Sequence, residues 1–170
     1  MVRPTAVPWI LFPLLTVLGL PTTLIHELGH GLAANKIAKV SVRIELSFVG
    51  IDWAGLCRLQ GDEDISVREY AIVIVAGPLA SLTQGVVAGQ LAAATVPGTA
   101  IHAVLATFAL AGYCGAALNL VPLVHGAVRS DGQLLLDLGR WVLRGRAPVW
   151  LAAPREPADP HAATSVAPPG

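Results

Sequence analysis

Three long apolar runs set the frame of the chain, and a short alternating segment sits between the first two. The first run covers residues 8–34, with Trp9 at its opening as an interface residue. Pro21 lies inside it and leaves the Val17 carbonyl without its usual amide partner, which predicts a kink about one turn before His26. The second run covers residues 69–94, where Gly77, Ala80, Ser81, Gly85 and Gly89 permit close helix packing in lipid. "VPGT" at 96–99 predicts a tight turn, and the third run, residues 100–121, stops at Pro122. A hydrocarbon core about 30 Å thick takes about 20 apolar residues to cross, so each run is long enough to span it.

Between the first two runs, Val42, Ile44, Leu46 and Phe48 alternate with Arg43, Glu45 and Ser47, the period of a strand. Gly50 suits a turn, and residues 51–59 return less regularly, which predicts a hairpin over 42–59. Such a hairpin either covers the membrane surface or offers an edge to a substrate. After Pro122 a loop leads into "SDGQLLLDLGRWVLRG". Here Leu134, Leu135, Leu138, Trp141 and Val142 share one helical face, and Ser130 with Gln133 forms a capping-box pattern. The resulting helix, 131–144, is too short to span and belongs at the interface or against the bundle. Residues 147–170 hold six of the 13 prolines and predict a disordered tail after a core over 1–146. The predicted fold class is an all-α polytopic membrane protein: three transmembrane helices, an interfacial β-hairpin and a short amphipathic C-terminal helix.

Composition supports that picture. The chain has 170 residues, 13% of them charged, about half the usual share for a soluble domain. Its net charge is zero, so no basic surface points to nucleic acid. Cys57 and Cys114 form neither a metal-binding spacing nor a disulfide framework. The leading segment has only Arg3 and no small-residue cleavage site, which favours a retained span over a removable signal. With three spans, ten of the 11 basic residues fall on one side. That side is expected to be the cytoplasm, with the N-terminus outside. An alanine- and valine-rich, lysine-poor composition suits a bacterium with a GC-rich genome, hence a plasma membrane location.

Candidate chemistry sits at the end of the first run, in "HELGH". His26 and His30 are four residues apart, so on a helix both imidazoles project from one face and can reach one tetrahedral zinc ion. Glu27, rotated by about 100°, can hold a water beside the metal without ligating it. Three ionisable groups there demand partners, and zinc meets that demand better than a polar patch between helices. Zinc needs a third protein ligand, for which Asp131, His125 and Asp137 are candidates. Asp131 begins a helix, where the dipole favours an ionised carboxylate.

"HELGH" (26–30), "AGPLAS" (76–81) and "NLVP" (119–122) followed by Asp131-Gly132 resemble, in that order, the site-2 protease family of intramembrane zinc metalloproteases. The resemblance covers residues 8–143. It implies zinc (Zn2+) held by His26, His30 and Asp131, Glu27 as general base, and Asn119 near the active site, bonding substrate backbone or oxyanion. A helix C-cap before Pro122 is the plainer role for Asn119. Gly77-Pro78 resembles the motif that brings the second helix to the site, and the hairpin resembles a membrane-embedded β element that aligns an unwound substrate. Where the family has only a few residues between the proline and Asp-Gly, this chain has "LVHGAVRS", which keeps His125 beside Asp131 as a candidate ligand. The implied activity is endoproteolysis in or near transmembrane segments, with a membrane-protein substrate and the bilayer as partners. A catalytically inactive adaptor of the same fold is the alternative, and the intact Glu27 argues against it. A soluble protease with the same motif is at odds with the apolar spans. A metal carrier would need a second polar pathway, which the sequence lacks.

Overall fold

In the computed structural model, residues 7–49, 52–60, 65–125 and 128–145 are described. Among these described residues are four α-helices: α1 (Val7–Ala33), α2 (Val67–Ala93), α3 (Ala100–Leu120) and α4 (Asp131–Arg144). Strands β1 (Ser41–Val49) and β2 (Asp52–Gln60) form an antiparallel hairpin, and β3 (Val124–His125) with β4 (Val128–Arg129) forms a much smaller one. Among the described residues, α2 and α3 are long and apolar enough to cross a membrane. The tail at 147–170, the turn at Gly50 and the side chain of Trp9 lie outside the described residues.

α1 continues helically through Pro21 and ends in a π-helical extension, Ala34–Ala38, which the apolar period does not foretell. Lys39 then takes a left-handed conformation, φ 57°, and Val40 donates its amide to the Ala34 carbonyl at 3.1 Å. A non-glycine residue in that region is uncommon, and here it turns the chain abruptly from helix into β1. Around the corner Ala33, Ala34 and Val73 are buried together, with Ala38, Val42 and Ala76 packed against them.

β2 is more regular than its sequence suggests: all nine of its residues pair with β1, from Val49 opposite Asp52 to Ser41 opposite Gln60. The apolar face of the hairpin lies on α1, since a Cβ on Gly31 would stand 3.4 Å from both Ile44 and Val42 side chains. Arg43, Glu45 and Arg58 form exposed ion pairs on the other face, at 3.3 Å. Exposed pairs of this kind add little stability; they keep that face wet.

α2 begins two residues before the predicted start, at a complete capping box. The Ser66 side chain accepts from the Glu69 amide, and Glu69 accepts from the Ser66 amide at 2.9 Å. The sequence shows this S-x-x-E pattern, "SVRE", at 66–69. α2 is the central helix, in contact with α1, α3 and α4. Small residues make the approach close: a Cβ on Gly29 would come within 2.7 Å of Ala80 Cβ, and one on Gly112 within 2.7 Å of the Ser81 carbonyl. The predicted turn between α2 and α3 is present, with Gly98 at φ +83° and Thr99 capping α3 by accepting from the His102 amide at 3.3 Å. On α4, Leu138 is buried as the face predicts, but Val142 is exposed, so the buried stripe is narrower than the leucine pattern implies.

Candidate metal centre

His26 and His30, one turn apart on α1, are both buried, with Nε2 atoms 3.1 Å from each other. Helical spacing alone puts them on one face, but α2 decides where their rings point. Gly77 is the floor of the site: a Cβ there would overlap His30 Nε2 and Cε1 and stand 2.8 Å from His26 Nε2. Any side chain at 77 would therefore fill the space the two imidazoles occupy. The His30 Nδ1–H donates to the Val73 carbonyl at 2.7 Å, and His26 Nδ1 lies 3.0 Å from the hydroxyl of Ser81, which is wholly buried.

Asp131 arrives from α4. Its Oδ2 is 3.0 Å from His26 Nε2 and its Oδ1 3.4 Å from His30 Nε2, and the residue is 8% exposed. Burial works against the charged carboxylate, but the two imidazoles beside it outweigh that and hold its carboxyl below the ordinary range. Despite that proximity, Asp131 Oδ2 is buried and accepts no hydrogen bond. Ligating atoms of His26, His30 and Asp131 all lie within 4.8 Å of one another, so the group could hold a metal ion. Two nitrogen donors and a carboxylate suit zinc, and a cation among them would satisfy the orphaned Oδ2.

The longer connection before Asp131 is disposed of by folding on itself. The Leu123 amide donates to Ser130 Oγ at 2.9 Å, and the Ser130 amide donates back to the Leu123 carbonyl at 3.0 Å. The segment between them forms the β3–β4 hairpin, so the extra residues leave and return at one point. Ser130 Oγ also donates to the Val121 carbonyl at 2.6 Å and accepts from the Gln133 amide at 3.2 Å, capping α4. Only half of the predicted capping box forms, because the Gln133 side chain turns instead to Asp137 at 2.9 Å. Gly132 completes the delivery: a Cβ there would sit on the Leu120 carbonyl, so only glycine lets α4 start against the end of α3.

Glu27 is buried, and β2 lies directly over it, since a Cβ on Gly55 would meet the Glu27 carboxyl group. The need for glycine at 55 was legible only once the hairpin's resting place was known. Cys57, two residues along the same face, has its thiol pushed up to about 11 by burial and by the charge of Glu27. At neutral pH the free thiol is therefore protonated.

Asn119 and Asp137 have contacts of their own. Asn119 Nδ2 donates to the Gly115 carbonyl of its own helix at 3.1 Å, and the cap residue of α3 is Val121, so Asn119 is not the C-cap. Asp137 is held by Arg129, Arg140 and Gln133, away from the cluster. His102 belongs to the opposite end of the α2–α3 pair, beside Ala92 and Thr95. The His125 backbone pairs with Val128, and its side chain lies outside the described residues. Sequence reasoning read Ser81 only as a small packing residue; it also faces an imidazole.

No family model and no curated protein sequence matches this chain. Among solved structures, a site-2 protease from Methanocaldococcus jannaschii superposes with a TM-score of 0.55 at 21% identity. The match covers 75% of this chain and 54% of that one, so this chain spans about half the length of its structural neighbour. The order of three helices and a hairpin around two histidines and an aspartate is therefore a site-2-protease-like fold.

Proposed function

We propose that this chain is a membrane-embedded zinc endopeptidase that hydrolyses peptide bonds in or beside transmembrane segments of other proteins. The observation that carries the reading is the convergence of two imidazole nitrogens and a carboxylate whose Oδ2 has no hydrogen-bond donor, with Glu27 beside them. His26, His30 and Asp131 would hold the metal, which acts there as a Lewis acid on the scissile carbonyl. Glu27 takes a proton from the attacking water on its carboxylate and returns it to the leaving amine. The cover of β2 over Glu27 limits the water that reaches it. A helical substrate hides its carbonyls in its own hydrogen bonds, so it must be extended before attack. The free edge of the β1–β2 sheet, which has no third strand among the described residues, could take an extended segment. In the membrane, α1 would be the third span beside α2 and α3, with the N-terminus outside and the basic hairpin and α4 at the cytoplasmic face.

Glu27→Gln tests the reading. The purified chain should bind zinc with the wild-type stoichiometry and lose about 10²–10⁴-fold in cleavage of a model membrane peptide. Normal cleavage by that variant would remove Glu27 from the mechanism, and absence of cleavage by the wild type would favour an inactive adaptor.

A further inference from the structure

Three contacts run in series through the histidine pair: Ser81 Oγ to His26 Nδ1 at 3.0 Å, His26 Nε2 to His30 Nε2 at 3.1 Å, and His30 Nδ1 to the Val73 carbonyl at 2.7 Å. Only the last has a fixed sense. A carbonyl oxygen can only accept, so His30 Nδ1 carries a proton and, in the neutral ring, Nε2 is a lone pair. The Nε2 to Nε2 contact is then a hydrogen bond only if His26 donates from Nε2. That leaves His26 Nδ1 to accept from the Ser81 hydroxyl. A metal ion held by both Nε2 atoms demands the other tautomer of His26. The ring loses the proton at Nε2 and gains one at Nδ1, and Nδ1–H donates to Ser81 Oγ. Its charge and proton count are unchanged.

We infer that Ser81 is the positioning residue for His26, holding Nδ1 in either tautomer so that Nε2 can be offered to a metal without moving the ring. The inference rests on reading the cluster as a metal site. The two histidines differ in this respect. A backbone carbonyl commits His30 to one tautomer, whereas a hydroxyl both donates and accepts by rotating about its Cβ–Oγ bond. Ser81 is 0% exposed, so no solvent takes its place. An alanine there would leave a buried Nδ1–H unpaired in the metal-binding tautomer and penalise that tautomer selectively.

The experiment uses the full chain in detergent micelles, stripped of metal by a chelator and titrated with zinc against a competing chromophoric chelator. Nitrogen-15 NMR of labelled histidines reads the tautomer. The wild type should take one equivalent, and His26 should change from the Nε2–H to the Nδ1–H form as zinc is added. Ser81→Ala and Ser81→Gly should each bind zinc about ten- to a hundredfold more weakly. The NMR signature of His26 should weaken in both, while His30 keeps its own. A packing role would instead lower the melting temperature, more for glycine than for alanine, and leave zinc affinity and tautomer unmoved. Zinc affinity in Ser81→Ala within about twofold of wild type overturns the inference and leaves the metal site standing. Failure of the wild type to bind zinc overturns the metal site itself, and the inference with it.

Discussion

The two halves of the candidate metal centre are held by different physics. The histidine half is set by rigid packing: two residues one turn apart on α1, pressed onto a helix that has no side chain at Gly77 and meets their Nδ1 atoms with the Val73 carbonyl and the Ser81 hydroxyl. The aspartate half is set by hydrogen bonds at a chain reversal, where Ser130 ties Val121, Leu123 and Gln133 together one residue before Asp131. Packing of the first kind tolerates no added atom. A junction of the second kind can absorb extra residues, provided they leave and return through the same pair of hydrogen bonds.

Substitutions can break this contrast, and the largest effect should come from the packed half. Gly77→Ala puts a methyl group where both imidazoles stand, and overpacking of a close helix contact costs about 1–3 kcal/mol. Because the displaced imidazoles would be donors in the proposed metal site, zinc affinity should fall by about a hundredfold. Chelator competition checks it, and an unchanged affinity would mean the rings have room elsewhere. Gly132→Ala comes next. Its methyl group meets the Leu120 carbonyl, so α4 should shift, lowering the thermal midpoint and zinc affinity together in a zinc-loaded melt. Ser130→Ala removes the cap of α4 and the tie to Leu123, and should cost about 1–2 kcal/mol of stability by denaturant titration.

Two smaller changes sharpen the comparison. Replacing residues 124–129 by two glycines should leave zinc stoichiometry intact, because Leu123 and Ser130 already meet without them. Loss of zinc in that variant would show that the small hairpin supplies a ligand, with His125 the first suspect. Arg129→Ala removes the tie from β4 to Asp137 and should cost no more than about 1 kcal/mol, since Arg129 is partly exposed and Asp137 keeps Arg140 and Gln133. Its zinc affinity should stay at the wild-type value.

The contrast also explains which features could be read in advance. The three helices, the long hairpin and α4 follow from periodicities and caps that are local in sequence, and their observed ends fall within two residues of those expected. The π-helical turn at Ala34–Ala38 and the two-residue strands β3 and β4 are too short to leave a period, so they were invisible. Val142 shares the apolar face of α4 yet is exposed, because helical spacing gives the face but not how much of it a neighbour covers.

Within the site the division is similar. The pairing of His26 with His30 is a consequence of 3.6 residues per turn, and any helix would enforce it. That Asp131, rather than Asp137, joins them was not fixed by spacing, since both lie on the same short helix. Their partners decide it: Asp137 is claimed by Arg129, Arg140 and Gln133, while the start of α4 rests on Leu120 and faces the histidines. The amino-acid order alone determined the elements and the pair of imidazoles, because those depend on interactions a few residues apart. Only the tertiary structure decided which aspartate joins the histidines, the glycines at 55 and 77, and the hydroxyl of Ser81 against His26. Each of these is a contact between segments far apart along the chain, and its partner is specified by packing rather than by any local pattern.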